Sequence, residues 1–251
     1  MRTRWLLPLS GFLFVGFLTY ACQQAPTSEA IVSLTEDGAS VSPSGRNAEQ
    51  HGVAMVRLAN ALPGSTGLEV LRDSTSLVTN VPFGGVSPYE EVSGSMTRFR
   101  LRHGGTTAII AESEQRLQDG LRYTLVALPD RNGGTTMRVI RDDLVPGEGR
   151  ARVRVIHAAP GLDDVAVAMT GASDPLFANV DYGGEAGFKD VAPTTAGFTV
   201  RRELGGPPVL ALRSMGLAAG TAYTFILTSR PDGQLMAISF SDAGATVAQP
   251  N

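Results

Sequence analysis

Three histidines, one cysteine and a few acidic pairs are the residues of this 251-residue sequence best equipped to do chemistry. His157 stands out, because Asp163 and Asp164 follow within a few residues, and an imidazole beside carboxylates can act as a general base or bind a metal. Period-2 alternation, however, puts His157 on the face of Val153 and Val155 at a strand end. A second copy of the same segment carries Asn60 there, which is polar but cannot serve as a base. One structural task covers both residues: hydrogen-bonding the turn at Pro160 and Gly161. His51 and His103 have no second ligand at a recognisable spacing, so a zinc site has little to be built from. Asp163-Asp164 and Asp142-Asp143 lack the alternating Asp/Asn array of a calcium loop and read as solvated turns. A nucleophile elbow, a Ser-x-x-Lys pair and a zinc helix are all missing from the sequence, and no catalytic residue, cofactor or metal is expected.

Cys22 is the single cysteine, and its position is informative. Arg2 and Arg4 precede an apolar run from Trp5 to Leu18, which ends in small residues before Cys22, the three parts of an export signal. At about 14 residues the run is shorter than the roughly 20 that span a bilayer as a helix, which makes a permanent transmembrane anchor the weaker reading. Leu18-Thr19-Tyr20-Ala21-Cys22 resembles a bacterial lipobox, whose cysteine receives a diacylglycerol. Cleavage after Thr19-Tyr20-Ala21 by ordinary signal peptidase is the competing reading. Lipidation is preferred because an unpaired thiol is a liability in an oxidising compartment. Two or three acyl chains hold a protein on a membrane, where one gives only marginal binding. Gln23 lacks the aspartate associated with inner-membrane retention, which favours the outer membrane or cell surface.

The formal net charge of -3 argues against a nucleic-acid partner, which requires a clustered basic excess. Residues 22–50 are rich in Ser, Gln, Glu, Gly, Asn and Pro and read as a flexible tether. Beyond it lies an internal repeat. AMVRLANALPG at 54–64 lines up with ARVRVIHAAPG at 151–161, NVPFGG at 80–85 with NVDYGG at 179–184, YEEVSGSMTRFRL at 89–101 with FKDVAPTTAGFTV at 188–200, and DGLRYTL at 119–125 with AGTAYTF at 219–225. The matches are collinear, so a unit of about 95 residues occurs twice, long enough each time for a small domain.

Each copy reads as short strands. Val153 and Val155 alternate with Arg152 and Arg154, and Phe99 and Leu101 with Arg98, Arg100 and Arg102, the signature of half-buried strands with one solvated face. PDRNGG at 129–134 and RPDG at 230–233 read as matching hairpin turns, with Asn132-Gly133 and Asp232-Gly233 expected to supply positive φ. About seven strands per copy and no amphipathic helix predict a β-sandwich. Tyr123 and Tyr223 look like core positions with a hydrogen-bonded hydroxyl, and Phe83 and Tyr182 like turn or core aromatics.

RVRVIHAAPGLDDVAV, followed by YGG, by FKDVAP and by GLAAGTAYTFIL, resembles the bacterial domain of unknown function 4397 family, which commonly occurs in tandem in secreted or surface proteins. The resemblance covers about 53–242 and is looser in the first copy, where Asn60 replaces His157 and Leu62 replaces Ala159. It implies an immunoglobulin-like β-sandwich in an extracytoplasmic protein and supplies no catalytic residue. The expected organisation is a lipoprotein signal peptide at 1–21, a tether at 22–50, and sandwiches at 51–146 and 150–243. The expected function is that of a noncatalytic cell-envelope module held at a membrane through Cys22, with an envelope protein or polysaccharide as partner. An extracytoplasmic hydrolase, with His157, Asp163 and Asp164 gathered around an open position, is the alternative from another class. A structural spacer is the third. The loop at 162–176, where the copies diverge, is the first place to look for function.

Overall fold

The computed structural model describes residues 52–243. Cys22, the export segment, the tether and His51 lie outside the described residues. Every regular element within them is a strand. The first copy contributes β1 (Val53–Asn60), β2 (Leu68–Arg72), β3 (Thr75–Val81), β4 (Glu90–Ser93), β5 (Met96–His103), β6 (Ile109–Arg116), β7 (Arg122–Pro129) and β8 (Thr135–Asp142). The second contributes β9 (Ala151–His157), β10 (Asp164–Met169), β11 (Phe177–Asp181), β12 (Glu185–Val191), β13 (Thr194–Arg201), β14 (Pro208–Leu217), β15 (Thr221–Ser229) and β16 (Leu235–Ala243). Eight strands per copy exceed the expected seven; β4, with Val92 its one buried side chain, is too short for alternation to announce it.

The strands form four sheets of equal size: β4-β1-β7-β8 and β3-β2-β5-β6 in the first copy, β12-β9-β15-β16 and β11-β10-β13-β14 in the second. All pairings are antiparallel except β1 with β7 and β9 with β15. Each copy closes its two sheets over an apolar core. Val56, Leu58 and Leu125 meet Val70, Phe99 and Leu101 in the first. In the second, Val153, Val155 and Phe225 meet Val167, Phe198 and Val200, with the Phe198 and Phe225 rings tilted at 52° and 4.9 Å apart. Each such side chain contributes about 1.5–3 kcal/mol on burial.

A third apolar cluster corrects the expectation of one solvated face per strand. Ala59, Val126, Leu128 and Ile140 of the first copy pack against Ile156, Ile226 and Ile238 of the second. The sheets containing β1 and β9 therefore stand back to back, and both faces of their central strands are covered: Tyr123 to Leu128 are buried without a break. Alternation reports which residues share a face; it does not report whether that face meets water or a second sheet. The outer sheets do behave as expected, with Phe99 and Leu101 buried and Arg98 exposed on β5.

The hairpin turns fall where expected. Asp130 N–H donates to Gly134 O at 3.0 Å, and Arg230 N–H to Gln234 O at 2.7 Å. Gly133 and Gly233 both take φ of 84°, a region glycine enters without steric cost. Asn132 and Asp232 do not share it, which corrects the reading of the dipeptides: Asn132 offers its N–H to Asp130 Oδ1 at 2.7 Å instead. Tyr123 and Tyr223 are buried as expected, and each hydroxyl accepts a backbone N–H from five residues upstream, Gln118 at 3.1 Å and Ala218 at 2.9 Å. This is the tyrosine-corner device, which fixes the chain where it enters a central strand.

Candidate functional site

His157 is buried at the end of β9. Its Nδ1 accepts the Ala159 N–H at 3.3 Å, as Asn60 Oδ1 accepts the Leu62 N–H at 3.0 Å in the first copy, so the two residues hold equivalent turns. Burial lowers the His157 pKa to about 4, only partly offset by the Leu162 backbone, and the ring meets Tyr182 edge-on at 5.6 Å. Asp163 and Asp164 are exposed and line a separate depression with Arg202 and Glu203. Burial, Asp181 and then Asp163 push the Asp164 pKa up. The structure does not bring His157 and these carboxylates around one open position. Among the described residues no three His, Cys, Asp or Glu side chains form a metal-ligand group. His103 is half-buried at the end of β5.

The charged constellation that the structure does build lies between the copies. Arg57 of β1 and Arg154 of β9 occupy matching repeat positions, and each donates from Nε to the matching threonine of the neighbouring strand, Thr124 and Thr224, at 3.0 Å. Their guanidinium groups then cross to the other copy. Arg57 forms a bidentate pair with Asp242, at 2.9 and 2.8 Å, and Arg154 pairs with Asp142. Asp142 also accepts from Thr124 Oγ1 and Tyr89 Oη, both at 2.7 Å. Its side chain is 0% exposed and that of Arg154 1%. Tyr89 and Phe240 cover the Arg57 guanidinium at 4.3 and 4.5 Å, and Phe188 covers that of Arg154 at 4.6 Å.

Asp142 is thus no solvated turn residue, and Arg154 no solvated face. Two arginines and two aspartates oppose each other at this joint, and their partners and hydrogen bonds replace the water that they have lost. Aromatic and acidic residues of the two copies do converge, but inward, as a joint. Asp143 remains exposed and pairs with Arg152 at 2.9 Å. Half-buried Tyr182 adds to the joint, its hydroxyl donating to Pro129 O at 2.7 Å. Phe83 is half-buried as well.

A family model described as domain of unknown function (DUF4397) matches residues 54–168 and again residues 151–251. The chain belongs to the DUF4397 family. Among curated proteins none matches it. Of the solved structures, the module CBMbc (family CBM26) of Eubacterium rectale in complex with maltoheptaose is similar at 11% identity and a TM-score of 0.21, over 78% of this chain and 98% of that one. A proposed cell adhesion protein from Bacteroides uniformis is similar at 11% identity and a TM-score of 0.26, over 77% of this chain and 98% of that one. Likenesses this distant carry no ligand or partner across.

The arginine stripe of the first DUF4397 copy is neutralised on its own sheet. Arg98 and Arg100 of β5 face Glu114 and Glu112 of β6, with contacts of 3.5 and 3.1 Å, and Arg102 pairs with Glu69 of β2 at 2.8 Å. Directly opposed unlike charges are the favourable cross-strand arrangement. The joint of the two DUF4397 copies was within reach of the sequence: Arg57/Arg154, Thr124/Thr224 and Asp142/Asp242 are identical residues at matching repeat positions. An arginine kept in both copies on an otherwise variable polar face is the signal that marks it.

Proposed function

We propose that the protein is a noncatalytic module of the cell envelope, held at a membrane by lipid on Cys22 and displaying two sandwiches, at 51–146 and 150–243, beyond a tether at 22–50. The observation that carries the reading is the crossed pair of buried ion bridges between the copies. It joins the sandwiches into one body whose surfaces keep a fixed relation, which is what a display or binding module requires and a jointed linker does not. The residue types best able to act on a substrate are already engaged: His157 in a turn, Asp142 in the joint. The presented surface meets an envelope protein or an acidic or neutral polysaccharide.

Intact mass and membrane fractionation of the full chain, beside a Cys22→Ala variant, test the reading. The expected mature form begins at Cys22, carries the added mass of acyl chains, sediments with membranes and is released by the substitution. A soluble, unmodified mature chain overturns the anchoring.

A further inference from the structure

The two outer sheets carry the same arginine in different company. In the first copy Glu69 of β2 stands directly opposite Arg102 of β5. Arg102 donates from Nε and Nη2 to the two carboxylate oxygens, each at 2.8 Å, and Ser76 Oγ adds a third bond at 2.8 Å. These hydrogen bonds hold the Glu69 carboxyl below the usual carboxylate range. In the second copy the same register sets Ala166 of β10 opposite Arg201 of β13. Alanine has replaced the counter-ion.

Arg201 is half-buried and has found neutral acceptors. Its Nε donates to Gly206 O and its Nη1 to Thr199 Oγ1, both at 2.8 Å, while Nη2 makes no hydrogen bond among the described residues. The space that a glutamate at 166 would fill is open, a cleft of about 170 Å³. Ala166, Ala168, Ser173, Pro175 and Leu204 line it with Arg201. The segment 162–176, expected as a loop, is strand β10 over Asp164–Met169; Ser173 and Pro175 belong to the connection that follows it, at 170–176. A guanidinium is always charged and its planar donors suit a carboxylate.

We propose that this cleft binds the carboxylate of a small acidic ligand, about the size of one sugar acid or amino acid, which accepts from the unpartnered Nη2 of Arg201 while Nε and Nη1 keep Gly206 and Thr199. The proposal goes beyond the envelope reading and does not depend on membrane attachment. The carboxylate can come from a hexuronate unit of an acidic polysaccharide or from an amino acid or peptide end.

The test is a titration of the folded chain with glucuronate, N-acetylalanine and, as the neutral counterpart, glucose, followed by NMR at the Ala166, Ala168 and Gly206 amides and the Arg201 Nε–H. Saturable shifts with a carboxylate and none with glucose are expected, and the acid that saturates at lower concentration identifies the source. Ala166→Glu recreates a pair that the first copy already folds around, and it should weaken the response about tenfold or more by occupying the guanidinium from within. Arg201→Met should remove the response. Failure of both acids to saturate, an equal response to glucose, or an undiminished response in Ala166→Glu overturns the proposal and leaves the envelope reading untouched.

Discussion

Replacing Asp142 by asparagine is the sharpest perturbation of the joint, because it keeps the side-chain shape and removes one charge. Arg154, 1% exposed, would remain charged in the interior; its other acidic neighbour, Glu185, lies 3.9 Å away at the margin. Removing one partner of a buried pair costs about 3–5 kcal/mol, most of it the penalty of the charge left behind. With a urea dependence of roughly 2–3 kcal/mol per molar for a chain of this size, the unfolding midpoint should fall by about 1–2.5 M. The double variant Arg154→Met/Asp142→Leu removes both charges and should regain part of that loss, since apolar replacement of a buried pair is often neutral while the Tyr89 and Thr124 hydroxyls lose their acceptor. Urea denaturation followed by tryptophan-independent far-UV signal measures both. A midpoint change in Asp142→Asn worth less than about 0.5 kcal/mol, the range of ordinary surface substitutions, would refute the argument that the joint rests on paired charge.

Two further outcomes follow from the repeat. His157 titrates from 6.5 in the unfolded chain to about 4 in the fold, so the folded protein refuses a proton that the unfolded chain accepts. The stability due to the neutral ring is complete above pH 6.5 and is lost as pH falls toward 4, with a slope of at most about 1.4 kcal/mol per pH unit. His157→Asn, the first copy's own solution, should fold and flatten that slope; equal pH profiles for the two proteins in urea melts would contradict it. Tyr223→Phe leaves the Ala218 N–H without its acceptor and should cost about 1–2 kcal/mol in thermal or urea unfolding, as should Tyr123→Phe at the matching corner. A neutral substitution at both would show that the hydroxyls do not hold the chain.

The β architecture was legible because its signals are local or periodic. Collinear matches exposed the repeat, alternation in segments such as Phe99 to Arg102 exposed strands, and the glycine turns exposed hairpins. The shared turn role of His157 and Asn60 could be read because the same position tolerates a base and an amide. Arg57, Arg154 and Asp142 could not be read by the same rules, since burial of a polar face depends on what the sheet packs against, and that partner lies far along the chain. Comparing the copies with each other would have recovered it. The Arg201 cleft needed more: the loss of Glu69's counterpart becomes visible only once register shows that Ala166 stands opposite Arg201.

The crossed ion bridges also bear on how the molecule responds to dilution. A self-complementary face of this kind on separate chains would associate only as far as their concentration allowed. Here the connection at 143–150, itself stitched down where the Gly147 N–H meets Asp190 at 3.0 Å, keeps the two faces at an effective concentration on the order of millimolar. Assembly becomes a property of the single chain, set at synthesis and independent of how many other copies are nearby.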